Sequence, residues 1–192
     1  AELVKKIDEI ENAEDYYLKL SKDKTELLKL LYEDCLALSK TRQKAAKELE
    51  TSVVKELSEL GMAESVFEVK FEPLPDLSSC ENFISASGMD KVEFYLSPNA
   101  GQPLKPLVKI ISGGELSRLM LALKVVSSSV DDTPTVIFDE IDTGISGRTA
   151  QKVSEKMAVI GHHHQVLCIT HLPQIAAMAD SHFEIKKQVE GT

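Results

Sequence analysis

Apolar residues recur at three- and four-residue steps from the start of the chain: Leu3, Ile7, Ile10, Ala13, Tyr17 and Leu20, then Leu27, Leu31, Cys35, Leu38, Ala45, Leu49, Val53, Leu57 and Leu60. That period is one face of a helix. No Gly or Pro interrupts residues 1–60, so the pattern predicts a single long helix or a helical hairpin. Lys24 and Arg42 fall on the seam, which makes it an imperfectly kept coiled-coil stripe. A continuous helix of this size spans about 90 Å at 1.5 Å per residue, more than the rest of the chain can cover, so the stripe calls for a partner helix from elsewhere. Asp23-Lys24-Thr25-Glu26 has the form of a capping box, and a break there would give two shorter helices instead. The 11 basic and 14 acidic residues up to Met62 read as a solvated outer face.

After Gly61 the period changes. Val66 to Phe71 alternates as a half-buried strand, and Val92 to Leu96 does so again after the turn-forming Ser87-Gly88-Met89-Asp90, with a Pro- and Ser-containing connector, Pro73 to Ser87, in between. Ser97 to Gly101 and Pro103 to Pro106 form a loop that leads to Ser112-Gly113-Gly114 and a helix from Glu115 to about Ser129. Thr135 to Phe138 is a short apolar strand, Arg148 to Ile160 a helix, Gln165 to Thr170 a buried strand, Leu172 to Ala179 a helix and His182 to Lys186 a final strand. Strands alternating with helices predict a mostly parallel sheet covered on both faces, with an antiparallel-looking front section. The chain thus divides into a coiled-coil arm, residues 1–62, and an α/β region, residues 63–192.

Composition narrows the function classes. The 192 residues carry 22 Lys and Arg against 31 Asp and Glu, a net charge of −9 with 43% apolar residues. This length buries a core without disulfides or structural metal. The acidic balance excludes wholesale charge attraction to nucleic acid or anionic lipid, so any DNA contact must use local basic patches or parts of the molecule outside this chain. Cys35, Cys80 and Cys168 are odd in number and form no CxxC pair, as expected of inert thiols in a reducing compartment. The longest stretch without Asp, Glu, Lys or Arg, Met157 to Ala179, contains Gly161, four His and Pro173 and is no membrane span. With no secretory signal at its start, the chain reads as soluble, cytoplasmic and without a membrane partner. Its opening at Ala rather than Met points to a fragment or a processed product.

Three segments carry candidate chemistry. Ser112-Gly113-Gly114-Glu115-Leu116-Ser117-Arg118 places two glycines directly before a helix, where free N–H groups, the helix dipole and a Ser hydroxyl make an anion cradle; seen alone, the triplet is more often a plain turn ahead of a helix. Thr135 to Glu140 is an apolar strand ending in two carboxylates. At the carboxyl end of a buried parallel strand, Asp139 can hold hydrated Mg²⁺ and Glu140 can orient or deprotonate a water, although two acids can also simply mark where a strand meets solvent. Ile169-Thr170-His171 ends the next buried strand, where His171 can offer a donor to a phosphate or be a satisfied structural residue. Other features read more plainly. His162-His163-His164 is expected to be a solvated helix-to-strand loop, Arg118 and Lys124 to be helix-surface charges that could also pair with acids, and Lys105 and Lys109 to be too sparse for a phosphate footprint.

The order SGGE, VIFDE and ITH resembles the C-terminal half of an ABC-type ATPase head: signature motif, Walker B strand and switch histidine. The longer runs Pro106 to Lys124, Phe138 to Arg148 and Thr170 to Gln174, with Leu38 to Phe71 before them, are similar to the SMC-like branch of that family that acts in bacterial DNA repair. The resemblance implies a head that binds ATP and Mg²⁺, dimerises with a second copy around two nucleotides, and works at DNA double-strand ends on the nucleoid. It implies that Ser112, Gly113 and Gly114, with Glu115 in the same cofactor-binding segment, meet the γ-phosphate held by the opposite head. It further implies Asp139 as Mg²⁺ support, Glu140 as catalytic carboxylate and His171 as a catalytic contact to the γ-phosphate. The loop after Glu140 departs from the general pattern: Ser146 stands where an interface aspartate is usual, with Asp142 four residues earlier, so either could sense the opposite nucleotide. An SMC-type ATPase of chromosome organisation and a non-catalytic coiled-coil scaffold are the alternative readings.

No two glycines in the chain lie five residues apart, so GxxxxGK[ST] does not occur. The family carries that motif in an N-terminal segment. The chain is therefore expected to be the C-terminal portion of a longer protein, with the N-terminal half of that protein as partner, and to be unable to hydrolyse ATP alone.

Overall fold

A computed structural model describes residues 2–110, 112–128 and 130–186, with side chains described from Asn12 onward. Its elements in chain order are α1 (Glu2–Glu59), β1 (Val66–Phe71), β2 (Val92–Ser97), β3 (Lys105–Pro106), α2 (Gly113–Ser127), β4 (Thr135–Phe138), α3 (Gly147–Gly161), β5 (Gln165–Cys168) and α4 (Pro173–Ala176). α1 is one unbroken helix. The alternative of a break at Asp23 does not occur: the Thr25 hydroxyl donates back to the Ser21 carbonyl at 2.8 Å within the helix, and Lys24 pairs outward with Glu81 at 2.7 Å. The helix stops at Gly61, whose φ of +80° is natural only to glycine, with Met62 N–H closing back on the Leu57 carbonyl at 2.9 Å.

The chain forms two compact units whose limits fall at other residues than the division at residue 62 read from composition. The first comprises residues 1–46 and 71–92. Cys35, Cys80 and Met89 are its buried centre, joined by Leu28, Tyr32, Leu74 and Ile84. The Arg42 guanidinium holds the 71–92 segment by bonds of 2.8 Å to both Asp90 Oδ2 and the Ser87 carbonyl. Within this unit the stripe residues Tyr17, Leu20, Leu27, Leu31 and Leu38 are exposed. The other seam positions before Asn12 lie outside the described side chains.

The second unit comprises residues 47–70 and 93–192. The same α1 stripe turns inward here: Val53, Leu57 and Leu60 are fully buried with Phe67, Leu96, Leu119, Leu121, Phe138, Ile141, Val153 and Ile160. Each such aliphatic side chain contributes about 1.5–3 kcal/mol by leaving water. A three-stranded sheet has the order β1-β2-β3, with β2 and β3 antiparallel through Tyr95 opposite Pro106 and Leu96 opposite Lys105. β4 and β5 run parallel in the register Thr135–Gln165, Val136–Val166, Ile137–Leu167 and Phe138–Cys168. The parallel layer was expected to be covered on both faces. Val136, Phe138, Val166 and Cys168 pack into the core, but Ile137 and Leu167 point to the other face and are exposed, so the described residues cover one face only.

Three expected elements differ. The strand read over Gln165–Thr170 leaves the ladder after Cys168, with Ile169 N–H still bonded to the Phe138 carbonyl at 3.0 Å. The helix read over Leu172–Ala179 keeps its α geometry only for Pro173–Ala176 and then tightens into turns, with Met178 bonded to Ile175 and Ala179 to Ala176. The segment His182–Lys186 is irregular: the alternation of Phe183 and Ile185 finds no neighbouring strand among the described residues, and both side chains are 91% exposed. The end of the α2 reading, Ser129, lies outside the described residues. No helix among them is long and apolar enough to cross a membrane.

Candidate functional site

The parallel register of β4 and β5 dictates where the acids and the imidazole fall. Phe138 is opposite Cys168, so Asp139-Glu140 and Ile169-Thr170-His171 leave the sheet side by side at its carboxyl edge. Asp139, Glu140 and His171 are all exposed there. Asp139 Oδ1 accepts the Glu140 N–H at 2.9 Å, which turns the chain sharply. Glu140 has φ +57°, and it is the non-glycine residue with positive φ among the described residues. A left-handed non-glycine residue costs on the order of 1–2 kcal/mol and is retained where surrounding structure imposes it.

α2 brings its diglycine to the same place. Ser112 caps the helix, its Oγ accepting Glu115 N–H at 3.4 Å, so its own O–H remains available to donate. The N–H groups of Gly113 and Gly114 precede the first intrahelical bond, from Leu116 to the Ser112 carbonyl. A Cβ on Gly113 would overlap Glu140 Oε2, and one on Gly114 would lie 2.9 Å from the Thr143 carbonyl oxygen. The diglycine and the acidic loop thus approach as closely as backbone allows, and only glycine fits at either position without displacement.

Two residues assigned by sequence to the helix surface, or passed over, lock this approach. Ser117 Oγ donates to the Asp139 carbonyl at 2.8 Å. Arg118, expected as a surface charge, is instead 8% exposed and donates through Nη1 to the Thr143 carbonyl at 3.1 Å, while its buried Nε has no partner among the described residues. Burial, only partly offset by Glu115, pulls the Arg118 pKa below its ordinary value. The signal for both was their place on one face of α2, three and four residues beyond Gly114. Lys124 pairs with Asp131, the second of the two roles open to it.

Asp142 and Ser146 part company. Asp142 is turned inward, 4% exposed; its Oδ2 accepts the Thr170 hydroxyl at 2.6 Å and the His171 N–H at 2.9 Å, and lies 3.0 Å from His171 Nδ1. Burial alone would raise its pKa; the bonds from Thr170 and His171 outweigh that and hold the carboxyl below the usual range. Ser146 is exposed at the N-terminus of α3 and makes no side-chain capping bond. Burial, then the nearby Asp142 and Asp139, push the Cys168 thiol up to about 11, which keeps it protonated and inert. The His162–His164 loop is not solvated throughout: His164 is buried and its Nδ1 meets the Thr133 carbonyl at 2.6 Å.

No protein-family model matches the chain. It is 40% identical over 198 residues to the DNA repair protein RecN of Bacillus subtilis (strain 168), a match that takes in 99% of this chain and 34% of that protein. It is 49% identical over 155 residues to the DNA repair protein RecN of Halalkalibacterium halodurans, with 81% and 27% covered. The chain is RecN-family sequence. It spans about a third or less of the length of these RecN relatives. Among solved structures, the Smc head domain with a coiled coil and joint from Pyrococcus yayanosii matches with a TM-score of 0.50 at 21% identity, covering 73% of this chain and 24% of that one. That likeness is one of fold.

The donor set of this RecN-family chain fits a nucleotide with Mg²⁺ in a specific, partial way. Among the described residues no group of three His, Cys, Asp or Glu could enclose a metal, but Mg²⁺ is typically held by one or two carboxylates together with phosphate oxygens and water. An exposed Asp139 at a strand end suits that mode. The diglycine cradle, which a Cβ would fill, suits a phosphate.

Proposed function

We propose that this chain is the C-terminal lobe of an SMC-like ABC-type ATPase head, with the returning helix of a coiled-coil arm over residues 1–62, in a DNA repair ATPase whose heads dimerise around ATP. The primary phosphate loop lies in the N-terminal half of the same protein, and this chain alone does not turn ATP over. The support is the meeting of the two acids, the imidazole and the diglycine at one sheet edge, reached through the β4–β5 register and the α2 contacts to the 139–143 loop. Identity to DNA repair proteins over most of the chain supports the repair role, and the DNA partner in this reading is a double-strand end. The protein works in the cytoplasm, at the nucleoid.

In this reading Asp139 is the residue that holds Mg²⁺, which when bound neutralises charge on the phosphates. Glu140, exposed at the end of β4, orients the attacking water and takes its proton. His171 meets the γ-phosphate through the ring nitrogen that Asp142 leaves open. Ser112, Gly113 and Gly114, with Glu115 beside them, offer N–H and O–H donors to the γ-phosphate held by a second head. Ser146, exposed beside that loop, reaches the opposite head, whereas Asp142 serves its own chain.

The experiment is made on the whole protein, with its phosphate loop. Glu140→Gln is expected to lower ATP turnover about 100-fold or more, to retain ATP binding and to accumulate an ATP-dependent dimer by light scattering. Unchanged turnover in that variant would refute the assignment. DNA-end binding that responds to ATP separates repair from chromosome organisation, and no response of either kind to ATP would leave a scaffold.

A further inference from the structure

One buried carboxylate oxygen gathers the whole switch-histidine turn. Asp142 Oδ2 accepts the Thr170 hydroxyl and the His171 N–H and lies 3.0 Å from His171 Nδ1, and Thr170 Oγ1 in turn accepts the Leu172 N–H at 3.1 Å. The turn from Thr170 to Leu172 is therefore bonded to a single residue of the loop that carries Glu140. That loop is itself closed by Thr143 N–H on the Glu140 carbonyl at 3.1 Å. The His171 side chain remains 75% exposed, so its placement comes from this polar anchor and not from packing.

We infer that Asp142 is the positioning residue of His171: its carboxylate, 3.0 Å from Nδ1, accepts from the Nδ1–H, orients the ring and leaves Nε2 as the nitrogen that meets a ligand. The chemistry is forced by the donor inventory. A carboxylate at Nδ1 accepts, so Nδ1 carries the hydrogen and the neutral ring is held in the tautomer that free imidazole side chains disfavour. Nε2 is then the ring nitrogen left with a lone pair. Thr170 contributes by keeping Oδ2 at the ring's edge, and it is secondary because the ring contact does not run through it. That the ligand at Nε2 is a phosphate rests on the function proposed above; the anchoring of the ring does not.

The test reads the tautomer without nucleotide, so its outcome is independent of whether the ATPase reading holds. The chain is labelled with ¹⁵N-histidine and long-range ¹H–¹⁵N spectra are recorded at a pH high enough to leave the ring neutral, with His171→Gln identifying the signal. The expected result is a protonated-type shift for Nδ1 and a lone-pair-type shift for Nε2. Asp142→Ala should invert the two, and Thr170→Val should keep the wild-type order. Should Asp142→Ala fail to fold, the wild-type spectrum decides by itself. A wild-type His171 protonated at Nε2, or a folded Asp142→Ala chain still protonated at Nδ1, would overturn the inference.

Discussion

Alanine at Gly113 and at Gly114 should have opposite consequences, although both exchange the same atoms in adjacent positions of one helix. Alanine is favoured over glycine in a helix by about 1 kcal/mol, less in the first turn. At Gly113 the new methyl meets the end of the Glu140 side chain, a group that can swing away about its own torsions. The expected change in stability is therefore between zero and a gain of about 1 kcal/mol. At Gly114 the methyl lies 2.9 Å from the Thr143 carbonyl oxygen and 3.3 Å from Arg118 Nη1, the two partners of a buried charge-assisted bond. Backbone cannot swing away. Overpacking costs about 1–3 kcal/mol, and weakening a hydrogen bond to a charged group adds on the order of 1 kcal/mol. After the helix gain, a net loss of about 1–3 kcal/mol remains, equivalent to a Tm lowered by about 3–10 °C at this size. Thermal melts followed by circular dichroism distinguish the two variants. Equal shifts, or a stabilised Gly114→Ala, would show that the diglycine is not packed against the acidic loop.

Three further outcomes follow from named contacts. Glu140→Gly should be about 0.5–1 kcal/mol more stable than Glu140→Gln in urea denaturation, since glycine relieves the left-handed φ at some cost in unfolded-state freedom; the reverse order would deny the strain. Arg42→Ala leaves the Asp90 carboxylate, 3% exposed, without its cation, at a cost of about 2–4 kcal/mol, and the 71–92 segment should become the first site of limited proteolysis; unchanged protection would contradict this. Lys124, and then Thr133, hold the Asp131 pKa well below the usual carboxylate range. A depressed folded pKa gives stability that is present above the unfolded value of about 3.9 and is lost as pH falls below it. The urea midpoint of the wild type should therefore exceed that of Asp131→Asn at neutral pH and converge on it in acid, and an advantage that grows in acid would contradict the pairing.

Much of this architecture could be read from residue order because its periods are uninterrupted. α1 needs only a helical stripe free of Gly and Pro, and β1 and β4 match their alternating or apolar runs residue for residue. What escaped depends on neighbours distant in sequence. The inward turn of Asp142 follows from the parallel register that delivers Thr170 and His171 beside it, which spacing alone does not encode. Arg118 is buried because the 139–143 loop lies over its face of α2, and an Arg on a helix carries no sign of that. His164 differs from His162 and His163 only in meeting the Thr133 carbonyl. Phe183 and Ile185 alternate like a strand, yet alternation makes no ladder without a partner edge. Ile137, Leu167 and Ile169 read as buried on both faces, whereas the described residues leave one face of β4 and β5 open.

The central claim is that the acids, diglycine and imidazole of this chain serve a nucleotide whose main holder is elsewhere. Steady-state ATP turnover, measured on this chain alone and after it is joined to the N-terminal half of the same protein, tests it most directly. The account predicts no Mg²⁺-dependent turnover by the chain alone and turnover in the joined protein that Glu140→Gln abolishes. Turnover by the isolated chain that Glu140→Gln abolishes, or turnover in the joined protein that Glu140→Gln leaves unchanged, would contradict it.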